Sequence, residues 1–151
     1  MIALGGALEE MGVRVVHNAV RGADVHLLQG IGFDIDGFTE AAQNGQMKVV
    51  HRVDGPICSV RGKDRDRDDL CFRINRQFAD ATVLQSDWSH RQIVKLGYSP
   101  VMPVVIKNAA DPEIFYPLEG TSPEPEGKIR LISTSWSDNQ RKGGPVYKWI
   151  E

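Results

Sequence analysis

Short apolar runs recur along the chain, and stretches with helical spacing separate them. The runs are "VRVV" (13–16), "DVHLL" (24–28), "MKVVH" (47–51), "ATVLQ" (81–85), "PVVIK" (103–107) and "KIRLIST" (128–134). They are rich in Val, Ile and Leu and bounded by Gly, Pro, Asp or Asn, the pattern of strands buried on both faces. In the spacer 64–80, Leu70, Ile74 and Phe78 share one helical face with Cys71 beside them. Asp64, Asp66, Asp68 and Asp69 of that spacer fall in or beside the first turn, where the helix dipole favours negative charge. In "SDWSHRQIVKLGYS", Ser86 or Asp87 is placed to cap a helix start and Gly97 to close its end. Strand alternating with helix predicts an α/β fold: a Rossmann-like parallel sheet with flanking helices and right-handed crossovers.

One stretch breaks the alternation. "PLEGTSPEPEGK" is crowded with Pro, Gly and Glu and reads as a linker over 117–127. It separates a Rossmann-like domain over 1–116 from residues 128–151, where a strand, a polar loop and a helix start open a second domain. At the other end, Leu4, Leu8 and Met11 fit the last turns of a helix capped by Gly12. That reading puts the first strand and its glycine-rich loop before Met1, so the first domain is expected to be incomplete.

Charge and cysteine usage exclude several classes. The formal net charge is −2, and no cluster of Lys and Arg offers a field to nucleic acid. Cys58 and Cys71 lack the C-x-x-C spacing of a metal site and are too few for a disulfide framework. Reduced thiols in a cytoplasmic protein are the expectation. No apolar run approaches the ~18 residues that span a bilayer, and the first residues lack the pattern of a signal peptide.

Few local motifs carry chemistry. "GIGFDIDG" has Ile35 where a dinucleotide fingerprint needs its third glycine. "DRDRDD" alternates Asp64, Asp66 and Asp68 like a calcium loop. Asp69 and Asn75 then stand where that loop wants Gly and Glu, so a solvated helix start is expected. "DID" (Asp34, Asp36) reads as a loop with a helix N-cap, and His17, His26 and His90 read as structural or surface histidines. His51 differs, because it ends a buried strand and ligands of open α/β sheets bind beyond the carboxyl ends of strands. Arg52 and Asp54 follow it at once. The competing reading is a structural turn in which Asp54 caps backbone amides. Arg141, Lys142, Gly143 and Gly144 precede a helix that starts at Pro145. Such a loop suits a phosphate, though a plain basic N-cap loop would look the same.

Taken together, "HRVDGP" (51–56), "ADATVLQSDWSHR" (79–91), "VIKNAADPEIFYP" (105–117) and "IRLISTSWSDNQRKGG" (129–144) resemble the retaining GT-B glycosyltransferases of the family-4 type. The most specific stretch is N-x-x-D-x-x-x-F-x-P, with Asn108, Asp111, Phe115 and Pro117. The resemblance implies two Rossmann-like domains facing across a cleft, the first holding the acceptor and the second a nucleotide diphosphate sugar. It implies transfer of the sugar to an acceptor hydroxyl with retention, the acceptor being a glycan, a lipid or a small molecule. His51 and Lys142 would be catalytic. Arg141, Lys142, Gly143 and Gly144 would bind the donor diphosphate, and Arg52, Asp54 and Ser86 would line the acceptor side. No cofactor or metal is implied, because Lys, Arg and helix dipoles stabilise the leaving diphosphate in this architecture. Ser137 stands where the family carries an arginine, Arg141 is the candidate substitute, and the E-x7-E motif is absent. The chain alone is therefore expected to be inactive and of low stability. The alternative reading is a non-catalytic α/β module that binds a phosphorylated sugar or a protein partner. A sugar-phosphate epimerase or dehydrogenase is disfavoured by the failed fingerprint.

Overall fold

The computed structural model describes residues 2–17, 22–42, 47–110, 112, 114 and 116. The expected linker (117–127) and second-domain stub (128–151, including the strand over 128–134) lie outside them. The described elements are α1 (Ile2–Glu10), β1 (Val25–Gln29), α2 (Ile35–Ala42), β2 (Lys48–Val53), α3 (Ile57–Arg61), α4 (Arg65–Phe78), β3 (Ala81–Leu84), α5 (Asp87–Lys95) and β4 (Pro103–Val105).

The four strands form one parallel sheet in the order β1-β2-β3-β4. This is the α/β, Rossmann-like arrangement that the alternation predicts. Its registers align Leu28 with His51 and His51 with Thr82, and bring Val53 beside Leu84 and Leu84 beside Val105. Side chains alternate across a strand, so His26, Leu28, Val49, His51, Val53, Thr82 and Leu84 share one face, and all are buried. Both core clusters form on that face. In one, Leu28 and Val49 meet Phe38 of α2 and Ile74 of α4. In the other, Val53 and Leu84 meet Cys71 and Phe72 of α4 and Ile93 of α5. Phe38 is the hub of the first, with Phe33 and Phe78 edge-on at 5.7 and 5.3 Å. Burying a side chain of this kind stabilises the fold by roughly 1.5–3 kcal/mol. The opposite face carries Leu27, Val50 and Val83, each half-buried, with Val25 and Val104 exposed.

The helix termini follow local rules. Ser86 caps α5 by accepting the Ser89 amide hydrogen at 3.1 Å. Gly97 closes it, with Gly97 N–H on the Val94 carbonyl and Tyr98 N–H on the Ile93 carbonyl, the paired closure of a left-handed C-terminal glycine. The same pair recurs after α1, where Gly12 and Val13 bond back to Glu9 and Leu8. Asp34 caps α2 through the Gly37 amide at 3.1 Å.

Two expectations are corrected here. Residues 13–16 are not a strand, although "VRVV" alternates as one. The Val13 amide is spent on closing α1, and Val13 and Val16 stay exposed. The acidic start of α4 is not wholly solvated. Asp68 is buried, and its two oxygens accept the Ile57 and Cys58 amides at 2.7 and 2.9 Å. It thereby caps α3 from a different helix. Among the described residues no helix is long and apolar enough to cross a membrane.

Candidate functional site

In a parallel sheet the strands all end on one side, and whatever follows them converges there. Here four residues at or just past the carboxyl ends of β2, β3 and β4 meet. The Arg52 guanidinium pairs with the Asp54 carboxylate at 2.6 Å through Nη1 and donates to Asn108 Oδ1 at 3.2 Å through Nη2. Asn108 Nδ2 donates to Gln85 Oε1 at 2.8 Å, and Gln85 Nε2 donates to the Asp54 carbonyl at 2.6 Å. The four residues thus close a ring of hydrogen bonds in which each amide both donates and accepts. The ring is charge-neutral, since the single guanidinium faces the single carboxylate. It is also open to solvent, with the Asp54 side chain 57% exposed.

Behind the ring the backbone is held from within the fold. Ser89 Oγ donates to the Asp54 carbonyl at 2.7 Å. Its hydrogen being used there, the Ser86 hydroxyl supplies the donor in the 3.0 Å contact between the two serines. Ser86 therefore serves as helix cap and brace. Gly55 follows Asp54 at φ +148°, and a side chain there would meet Ser89 Oγ at 3.1 Å and the Trp88 ring at 3.8 Å. Glycine is what lets β2 turn this closely under α5.

His51 is placed differently from its expected position at the rim. β2 runs on to Val53, and the His51 ring is fully buried on the helix-covered face. The Val101 amide donates to Asn75 Oδ1 at 3.0 Å, which fixes the orientation of that amide. Asn75 Nδ2 then donates to His51 Nδ1 at 3.2 Å and to Thr82 Oγ1 at 2.8 Å. With Nδ1 an acceptor, the ring proton sits on Nε2 and is donated to the Gly30 carbonyl at 2.8 Å. Thr82 passes its own hydrogen to the Val101 carbonyl at 2.7 Å. Burial pushes the His51 pKa down, partly offset by the bond to Gly30, so the neutral tautomer suits the site. The ring pins the Gly30 turn at the end of β1 rather than facing solvent. Asp54 likewise does not cap the amides after it through its carboxylate. Asp68 holds the Ile57 and Cys58 amides instead.

The structure thus brings Arg52, Asp54 and Ser86 together and adds Gln85, Ser89 and Asn108. Asn108 lies in the N-x-x-D-x-x-x-F-x-P stretch and Gln85 and Ser89 in the 79–91 stretch of the resemblance, but no local pattern singles out any of the three as a site residue. Arg141, Lys142, Gly143 and Gly144 lie outside the described residues. Among the described residues no group of three His, Cys, Asp or Glu side chains is placed to hold a metal ion. A separate groove of about 220 Å³ runs between α4 and the turn after α5, lined by Phe72, Arg73, Arg76, Tyr98 and Ser99 among others, and shares no residue with the ring. No family model, no curated protein and no solved structure matches this chain.

Proposed function

We propose that this chain forms the acceptor-side portion of a retaining glycosyltransferase that uses a nucleotide diphosphate sugar in the cytoplasm. The observation that carries the reading is the neutral ring of Arg52, Asp54, Gln85 and Asn108 at or just past the carboxyl ends of three parallel strands. This is where ligands of open α/β sheets bind, and the ring draws in Asn108 from the stretch most specific to the resemblance. Its planar side chains carry both donors and acceptors, the group types that sugar hydroxyls pair with. On this reading Arg52 and Asp54 orient the acceptor hydroxyl. Lys142 and Arg141, with the amides of Gly143 and Gly144, stabilise the diphosphate as the glycosidic bond to it breaks. His51, being buried, contributes by holding the Gly30 turn at the mouth of the site.

Titration of a protein that carries this chain with a complete second domain, using uridine and guanosine diphosphates and followed by calorimetry, tests this. One of the two should bind, and Lys142→Ala should weaken it. Absence of binding to either would overturn the reading and favour a non-catalytic module, which the full burial of His51 and the neutrality of the exposed ring also suit.

A further inference from the structure

We infer that Trp88 is a stacking platform for a saccharide at the Arg52–Asp54–Gln85–Asn108 ring, so that the acceptor is a sugar rather than a lipid alcohol or other small molecule. The inference rests on the preceding reading of this edge of the sheet as the acceptor side.

Trp88 occupies the first turn of α5 and is 46% exposed. A tryptophan is large enough that leaving half of it in water forgoes much of its burial energy. Its ring edge lies beside Gly55, directly after Asp54 of the ring, 3.8 Å from where a side chain at 55 would begin. The position is fixed by the adjacent Ser89, whose hydroxyl holds the Asp54 carbonyl at 2.7 Å. An apolar, rigid face thus stands at the border of a polar cluster. The two surfaces match the two surfaces of a pyranose, an apolar face of C–H groups and an equatorial belt of hydroxyls.

The electrostatics choose among ligands. Arg52 is neutralised by Asp54 at 2.6 Å and spends a further N–H on Asn108, so the cluster offers no net charge to an anion. The amides of Gln85 and Asn108 each retain donor and acceptor capacity beyond the single chain of bonds linking them. Neutral, alternating donors and acceptors beside an aromatic face suit a polyol, whereas a lipid alcohol would leave the polar groups unpaired and a phosphate would meet the Asp54 carboxylate.

The test uses the full chain with Trp136→Phe and Trp149→Phe, which leaves Trp88 as the only tryptophan. Its emission is followed during titration with the methyl glycosides of glucose, mannose, galactose and N-acetylglucosamine, and separately with uridine. At least one glycoside should shift the emission saturably to the blue. In calorimetry on the otherwise unaltered chain, Trp88→Ala should weaken that glycoside about tenfold, the upper end of what one aromatic face contributes. Trp88→Phe should recover part of the loss. Circular dichroism confirms that the variants remain folded, which the exposure of the site favours. The inference is overturned if no glycoside moves the emission, if Trp88→Ala binds as tightly as the parent, or if uridine alone shifts the emission. The two readings fail separately. Diphosphate binding without a glycoside response removes the platform and leaves the transferase. A glycoside response without diphosphate binding leaves the platform and removes the transferase.

Discussion

Asn75 is the residue whose loss the interior should feel most. It is fully buried and serves three partners on three elements: the His51 ring on β2, the Thr82 hydroxyl on β3 and the Val101 amide before β4. Asn75→Leu keeps the branched shape with slightly more bulk and removes every side-chain bond. Thr82 keeps its own donor bond to the Val101 carbonyl, so two groups are left without partners, His51 Nδ1 and the Val101 N–H. A buried polar group stranded in this way costs about 1–3 kcal/mol. Allowing for the leucine's better transfer from water, the net loss should be about 3 kcal/mol. That is a large part of the ~5–15 kcal/mol that a domain possesses. Urea unfolding followed by far-ultraviolet circular dichroism is the assay. With a slope of ~1–3 kcal/mol per molar urea, the midpoint should fall by about 1–3 M. Arg67→Ala, on the exposed side of the same helix, should leave the midpoint where it is. A loss below about 1 kcal/mol for Asn75→Leu would refute the claim that these bonds have no substitute.

His51 should make the fold acid-sensitive. Its folded pKa lies below the ordinary 6.5, so below that value the unfolded chain takes up the proton first. The stabilisation is complete above pH 6.5 and is lost as pH falls from there through the folded pKa. Ring nitrogen shifts that stay neutral below 6.5 in the folded protein would support this, and titration at the ordinary value would refute it. Asp68→Ala strips both amide partners at the start of α3 and should cost about 2–3 kcal/mol, read as a lower melting temperature. Asp68→Asn should recover part of it. Cys71, whose thiol burial pushes up to about 12, should resist a thiol reagent until the protein unfolds. Modification in the native state at the rate of an open thiol would contradict its place in the core. Gly55→Ala should destabilise by about 1–3 kcal/mol through backbone strain at φ +148°. An unchanged melting temperature would show that the turn relaxes freely.

The four strands of the sheet were legible because their β-branched runs are bounded by turn residues, and local pattern is enough for that. "VRVV" misled because the same alternation suits an exposed connector, and only the competition for the Val13 amide separates the two. Ser86 and Gly97 were legible as ends of α5 because capping is decided within a few residues. Asp68 was not. An aspartate in the first turn of α4 looks solvated until α3 folds onto it from ten residues upstream. His51 drew notice for the right reason, a polar residue in a buried run, but the partner that explains it, Asn75, lies on a helix whose apolar spacing hides it. The ring of Arg52, Asp54, Gln85 and Asn108 draws on three strand ends, and no spacing along the chain encodes that convergence. Trp88 falls in the quoted 79–91 stretch but did not stand out there, because exposure is a property of the fold.

The strand order has a consequence for how the chain reaches its structure. Val25 pairs with Lys48, Val50 with Ala81 and Thr82 with Pro103. Among the described strands, each therefore joins the one synthesised just before it, and none of these pairings waits for a segment further along. Parallel sheets are slow to form when distant strands must find one another, because the loop entropy is spent before the contacts reward it. In this sheet the growing edge is always the newest strand. On a ribosome, the fold can extend one strand–helix unit at a time, and the Arg52–Asp54 edge of the site is in place before Asn108 arrives to close the ring.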